Sequence, residues 1–326
     1  MASASGNARS SQTISRRQWL AAAGAGLCAA SGCTASWGNP DRLAPGDERP
    51  LCVCTTGIVA DLVAQVAGEA AGVVALMGPG VDPHLYRPSP GDVARLSAAE
   101  VVFYNGLHLE GKMAQLLHRL EEHRAVASLG HYLQRHHPGR LLPVGSSQYD
   151  PHVWFDVELW SRTLPAVEEA LGKLLPRQAA LFRRRSEACR RRLLVLHRWC
   201  REQLAHIPPR RRVLVTAHDA FRYFGRAYGV QVVGIQGVST QAEAGIADIN
   251  RLVRLIVRRR VKAIFVESSV PERHVHALLD GCRAAGHRVQ LGGQLYSDAL
   301  GPPGSGAETY EQMVRHNVQT IVQALA

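Results

Sequence analysis

Residues 176–206 constrain this chain more than any other stretch. Phe182, Cys189, Leu193, Leu196, Cys200 and Leu204 recur at spacings of 7, 4, 3, 4 and 4, with arginines filling positions between them. One apolar stripe with charge elsewhere is the pattern of a long amphipathic helix. Pro176 is tolerated in a first helical turn, and Pro208-Pro209 stops the helix. At 1.5 Å per residue it would run about 45 Å, roughly the length of the molecule. On either side, short apolar runs alternate with helical stretches. The strand-like runs are 51–54, 72–77 and 101–104 before it, and 213–215, 230–235, 263–266 and 289–291 after it. The helical stretches are 58–66, 90–96 and 109–120, then 221–228, 242–258, 271–285 and 309–325. Such alternation builds βαβ units and a largely parallel sheet. The expectation is therefore an α/β protein of two lobes, each a mostly parallel sheet flanked by helices. One long rigid helix joins them and keeps hinge motion small. The lobes are placed at 50–175 and 208–326, with the linking helix at 176–207.

A length of 326 residues fits two domains, and 46% hydrophobic with 20% charged residues describes a globular chain. The formal charge of +11 comes largely from Arg183-Arg184-Arg185, Arg190-Arg191-Arg192 and Arg258-Arg259-Arg260. No aromatic residues interleave for base stacking, and both regions read as helical, so a solvated face is favoured over nucleic acid.

Residues 1–32 carry Arg9, Arg16 and Arg17 and no acid, and 15–20 form a twin-arginine pattern before an apolar run at 20–30. That run is much shorter than the roughly 20 residues a spanning helix needs, so it reads as a signal segment. Ala30-Ser31-Gly32-Cys33 resembles a lipoprotein cleavage site that would leave Cys33 as the lipid-bearing N-terminus; Cys28 fits less well. Residues 33–49 then form a tether. Cys52, Cys54, Cys189, Cys200 and Cys282 are odd in number and lack a Cys-x-x-Cys pair, so buried free thiols are expected.

Most of the 15 histidines need no explanation, but three stand where loops leave predicted strands or turn between lobes. Asp82-Pro83-His84 follows the second strand, and Asp150-Pro151-His152 repeats the tripeptide in a second loop. His218-Asp219 follows the strand at 213–215, and Asp298 sits in a Gly-rich loop after the last one. Strand ends are where open α/β sheets place ligands, and a preceding proline helps aim an imidazole. Neutral imidazoles with one carboxylate suit late first-row divalent ions. Taken singly, a loop histidine is more often a surface residue, and Asp298 serves equally well as a cap or turn residue. Their wide separation in sequence leaves convergence open.

Six blocks carry a resemblance. They are 82–90, 103–107 with Leu109-Glu110, 150–154, 218–224 with Tyr228-Gly229, Phe265-Val266-Glu267, and 296–301. In this order the chain, over about residues 50–326, resembles the metal-binding lipoproteins of zinc/manganese ATP-binding-cassette importers, a solute-binding family of two lobes joined by one long helix. The resemblance implies metal ligands at His84, His152, His218 and Asp298, one pair from each lobe. It also implies an exported, lipid-anchored monomer that delivers a metal ion to a membrane permease and is not an enzyme. Zn2+ is favoured because three imidazoles and one carboxylate make a nitrogen-rich site, and because manganese carriers of the family often have a carboxylate where His218 stands; Mn2+ (or iron) is the alternative. The His-rich loop of zinc carriers is represented only by His131, His136 and His137. Glu267 reads as a helix-starting acid before Pro271, with ligation or support of a ligand as the lesser reading. Asp219 either orients an imidazole or caps a helix. A zinc hydrolase is disfavoured by the absence of a His-Glu-x-x-His motif. A metal-containing adhesin lipoprotein would share both anchor and fold.

Overall fold

The computed structural model describes residues 48–326 and Met1. The expected signal segment, Cys33 and nearly all of the tether lie outside the described residues. The first half contains β1 (Leu51–Thr56), α1 (Gly57–Ala67), β2 (Gly72–Met77), α2 (Pro90–Ala98), β3 (Val101–Tyr104), α3 (Ala114–Glu121), β4 (Ala125–Ser128) and α4 (Leu129–His136). A short antiparallel hairpin follows, β5 (Pro143–Val144) with β6 (Gln148–Tyr149), then α5 (Val157–Ser161) and α6 (Leu164–Leu174). The long helix is α7 (Ala179–Ala205), entered through a 3-10 turn at Pro176–Gln178. The second half contains β7 (Val213–Thr216), α8 (Arg222–Tyr228), β8 (Gln231–Gly234), α9 (Ile246–Arg259), β9 (Ala263–Glu267), α10 (Arg273–Ala284), β10 (Gln290–Leu295) and α11 (Tyr310–Leu325).

Both main sheets are wholly parallel, in the orders β2-β1-β3-β4 and β10-β9-β7-β8. Each starts from a central strand and adds neighbours on both sides, so each has a point where strand order reverses. Loops leaving the carboxyl ends of strands converge at such points. Local chemistry fixes where the helices begin. Thr56 Oγ1 accepts from Val59 N at 3.3 Å to start α1, and Ser89 with Asp92 makes a capping box at α2 with Pro90 in its first turn.

The α7 stripe is buried at every position the sequence picks out: Phe182, Cys189, Leu193, Leu196, Cys200 and Leu204. At 27 residues the helix is about 40 Å long. It is more than a strut. One continuous apolar core runs from Ile58, Val63 and Trp160 through this stripe to Phe221, Phe224 and Met313, so both halves share it. Smaller clusters cover the far side of each sheet, around Leu96 and Val102 in the first and around Ile256 and Leu278 in the second. The five described cysteines are free and buried. No described helix is long and apolar enough to cross a membrane.

Some elements differ from expectation. The helix expected over 109–120 begins only at Ala114, because Glu110 is spent on the loop before it. Its buried carboxylate accepts from Asn105 N at 2.8 Å, Gly106 N at 3.0 Å and Thr55 Oγ1 at 2.7 Å. That loop holds Leu107 and His108 at positive φ, which no helix permits. β10 runs on to Leu295 through Gly292-Gly293, where a Cβ on Gly292 would come within 2.6 Å of the Phe265 ring. Glycine is needed there for packing, and glycine carries no strand signal.

The shared core predicts an outsized effect of one truncation. Leu196→Ala should lower unfolding free energy by about 2–5 kcal/mol in a denaturant titration, with both halves losing structure in one transition. Two separated transitions would mean that the halves do not share the core.

Candidate metal centre

The two Asp-Pro-His loops are built alike. Asp82 Oδ1 accepts the backbone N–H of His84 at 2.8 Å, and Asp150 Oδ1 accepts that of His152 at 3.0 Å. Each aspartate folds the chain back over the proline and turns the imidazole inward. His84 leaves β2 and His152 follows β6, whereas His218 leaves β7 and Asp298 follows β10. The first half thus supplies two of the groups and the second half the other two.

All four are buried, and their four ligand-capable atoms lie within 4.8 Å of one another. His152 Nε2 stands 3.3 Å from His84 Nε2, 3.3 Å from His218 Nε2 and 3.4 Å from Asp298 Oδ1. His218 Nε2 stands 3.3 Å from Asp298 Oδ2. Donors placed about 2.0–2.1 Å from a central ion in a tetrahedron are about 3.3–3.4 Å apart, which is the spacing of these pairs.

Carboxylates behind two of the rings set their tautomers. His152 Nδ1 lies 2.7 Å from Asp150 Oδ1, and His218 Nδ1 lies 2.6 Å from Glu267 Oε2. With protons held on those Nδ1 atoms, the Nε2 lone pairs point at one another. Such lone pairs repel unless a proton or a cation lies between them. Asp298 adds to this: its Oδ1 is buried with no hydrogen-bond donor, while Oδ2 accepts from Ser269 Oγ at 3.2 Å. The donor set fits a divalent transition-metal ion.

Electrostatics follow from the same contacts. Burial holds His84 down to about 3, so its ring is neutral. Burial also opposes charge on His152, but Asp150 and Asp298 outweigh it and raise that ring to about 9. His218 likewise overcomes its burial, with Glu267 and Asp298 lifting it well above the usual imidazole range. Asp298 is held well below the usual carboxylate range by those two rings, against the effect of its own burial.

The structure bears out the lesser reading of Glu267, support of a ligand, and not the helix-starting acid. Glu267 ends β9, accepts from His218 N at 2.9 Å as well as from its ring, and starts no helix. Asp150 has no signal in the sequence beyond the repeated Asp-Pro-His tripeptide. Asp219 pairs with Arg222 Nε at 3.8 Å; α8 starts with no side-chain cap, and the Asp219 carboxylate makes no hydrogen bond to an imidazole among the described residues. Two cross-links between the halves also lacked a sequence signal. Thr240 Oγ1 donates to Asp82 Oδ2 at 2.6 Å, and Gln241 Nε2 donates to the His84 carbonyl at 3.2 Å. On the opposite side, Trp154 Nε1 donates to the Ser297 carbonyl at 3.0 Å, bracing the His152 loop against that of Asp298. His131, His136 and His137 stay on the first half's surface, away from the four groups.

Comparison with known proteins places this geometry. Residues 52–324 match the family described as zinc-uptake complex component A, periplasmic. The manganese-binding lipoprotein MntA of Bacillus subtilis is 44% identical over 280 residues, covering 86% of this chain and 90% of that protein. The zinc-binding protein TroA of Treponema pallidum is 46% identical over 296 residues, covering 91% and 94%. The solved structure of the periplasmic zinc-binding protein TroA from Treponema pallidum superposes with a TM-score of 0.82 at 47% identity, over 85% of this chain and 99% of that one. Fe(III)-bound YtgA from Chlamydia trachomatis has a TM-score of 0.78 at 27% identity, over 85% and 98%. The chain belongs to the family of periplasmic zinc-uptake components.

Proposed function

We propose that this chain captures a divalent transition metal outside the cytoplasm and hands it to the permease of an ATP-binding-cassette importer, with zinc as the preferred cargo. His84, His152, His218 and Asp298 are the ligands in this reading. The observation that carries it is the convergence of their donor atoms within 4.8 Å, four of the pairs at 3.3–3.4 Å, with the outer nitrogens of His152 and His218 tied to carboxylates. Four enclosed protein donors suit carriage, since catalytic zinc keeps a position open for water. The lobes at 50–175 and 208–326, linked through 176–207, each contribute half of the site.

Manganese is the second reading, and one observation favours it. Asp298 turns one oxygen toward His152 and the other toward His218, so bidentate binding would give three nitrogen and two oxygen donors. The relatives named for zinc and for manganese are similarly close to this chain. Export by the segment at 1–32, lipid attachment at Cys33 and a monomeric state belong to the same proposal. The lipoprotein name of the Bacillus relative supports the anchor.

Capture is an exchange of protons for metal. Asp150 and Glu267 keep the Nδ1 protons, and the ion replaces whatever proton the Nε2 atoms hold. Thr240 and Gln241 clamp the His84 loop from the opposite half, so release requires those two contacts to part.

Three outcomes test these statements. Metal-free protein offered equal zinc and manganese should retain one zinc in native mass spectrometry, and the His84→Ala, His152→Ala double variant should retain none. Retained manganese would select the second reading, and no stoichiometric metal in the parent would sink the ligand assignment. The pH dependence has a definite sign. His152, raised to about 9, and His218, also raised, are protonated near neutrality in the metal-free protein, so protons compete with metal there. Affinity should keep rising between about pH 7 and 9, and titration calorimetry in buffers of differing ionisation enthalpy should detect between one and two protons released per ion. An affinity that levels off at the ordinary imidazole range of about 6.5 would contradict this. Finally, Thr240→Val should speed metal loss to a chelator by roughly 10-fold, the kinetic equivalent of one lost hydrogen bond to a charged group. An unchanged rate would show that the Thr240 contact does not limit release.

A further inference from the structure

The described residues carry 34 lysines and arginines against 25 aspartates and glutamates. Residues 179–212, α7 and the turn after it, hold eleven of those arginines and only two glutamates. This one segment therefore supplies the whole excess of nine, and the rest of the described chain balances at 23 of each sign. The arginines sort into two groups. Arg183 pairs with Glu168, Arg185 donates to the Ala67 carbonyl, Arg192 to Gln65 and Arg212 to the Ile207 carbonyl. Arg184, Arg190, Arg191, Arg198, Arg201, Arg210 and Arg211 are exposed and have no hydrogen bond or ion pair among the described residues.

Three of those seven share the outermost line of α7. Arg184, Arg191 and Arg198 recur every seven residues along the face opposite the buried stripe, Arg190 and Arg201 lie on one flank about a quarter turn away, and the exposed Glu187 and Glu202 stand among them. Arg210 and Arg211 continue the charge past the helix C-terminus. Val195, 51% exposed, lies in the middle of the line between Arg191 and Arg198. A face that only had to be soluble would gain from mixed signs, since like charges spaced three or four apart repel and opposite ones attract. Here the exposed Glu187 and Glu202 offset only two of the seven, so an excess of five positive charges remains among these groups while the remainder of the described chain is balanced.

We propose that the outer face of α7 rests on anionic phospholipid headgroups at the membrane surface. Arginine is suited to phosphate through its planar, multidonor head, and a bilayer offers many phosphates on a flat plane, which matches charges spread along a rod rather than gathered in a pocket. The one aromatic ring among these arginines, Trp199, is half-buried and covered by the Arg315 guanidinium 4.6 Å from its centre, so it offers no stacking platform, which sets single-stranded nucleic acid aside. Seventeen residues separate Cys33 from Leu51, a reach of up to about 60 Å, enough for a lipid-anchored chain to lay this face on the bilayer. None of the four ligand groups nor Thr240 and Gln241 lies on α7, so the ion site is not part of the contact.

The test compares full-length wild type with an Arg184→Gln, Arg191→Gln, Arg198→Gln variant. Each is sedimented with vesicles of phosphatidylcholine alone or mixed with phosphatidylglycerol, at low and high salt. Residues 1–33 contribute alike to both proteins. Wild type should bind the anionic vesicles more tightly than the neutral ones, with the preference fading in high salt. At about five-fold per arginine, the variant should lose roughly 100-fold of affinity for the anionic vesicles alone. Equal binding of wild type to both vesicle types overturns the proposal, and so does a variant that keeps the wild-type preference, which would move the contact to another basic run such as 258–260. Stoichiometric metal retention by the variant, measured in parallel, shows that it is folded.

Discussion

The site depends on two hydrogen bonds behind the rings, not on the ligands alone. Asp150 on His152 and Glu267 on His218 each fix a proton on Nδ1 and leave the Nε2 lone pair facing inward. Without them either ring is free to choose the other tautomer or to turn, and the inner nitrogens no longer match one ion. Glu267 also receives the backbone N–H of His218, so one carboxylate fixes both the position and the protonation of that ring. Asp150 does the same for His152 through its turn. The burial of all four groups makes an unpaired charge costly, so in the metal-free state His152 and His218 hold protons beside Asp298, and a captured ion takes the place of those protons.

Such a site spans the junction between two halves, so its geometry is only as good as their relative placement. The helix α7 addresses this by entering a core that both halves share, instead of bridging two separate cores. Close-packed interiors transmit strain and resist small displacements, so the halves cannot drift apart gradually. Motion needed for ion exchange is thereby pushed into the loops. The His84 loop is held from the other half by two polar cross-links, Thr240 and Gln241, whereas the His152 loop has four, Trp154 on the Ser297 carbonyl, Tyr223 on the Asp150 carbonyl, Tyr310 on the Trp154 carbonyl and Arg222 beside Asp150. The less braced ligand is the natural one to move.

The charge distribution separates two tasks. The metal end is neutralised internally by its own carboxylates, and its ionised groups are buried. The outer face of α7 leaves its arginines to the surroundings. A long amphipathic helix thus serves the core with one stripe and a partner surface with the other, and the same sequence period of 3.6 residues keeps both in register.

The sequence by itself determined the layout: periodicity in 176–206 gave the long helix and its six buried positions, and alternating runs gave the parallel sheets. It also named the four converging groups, through the repeated Asp-Pro-His and a family likeness rather than through spacing. Elements that carry weak local signals were not legible. The short strand β4 is made of small residues, α4 and α5 are only eight and five residues long between closely spaced prolines and glycines, and β10 contains two glycines. Only the tertiary structure decided the roles of Glu267 and Asp150, and the clamp of Thr240 on Asp82. A carboxylate at a strand end looks the same in sequence whether it caps a helix or holds an imidazole, since its partner is set by residues far along the chain. His218 lies 49 residues from Glu267, and Asp82 lies 158 from Thr240. Local pattern encodes which face of an element is apolar; which polar groups meet across elements is decided when the faces pack.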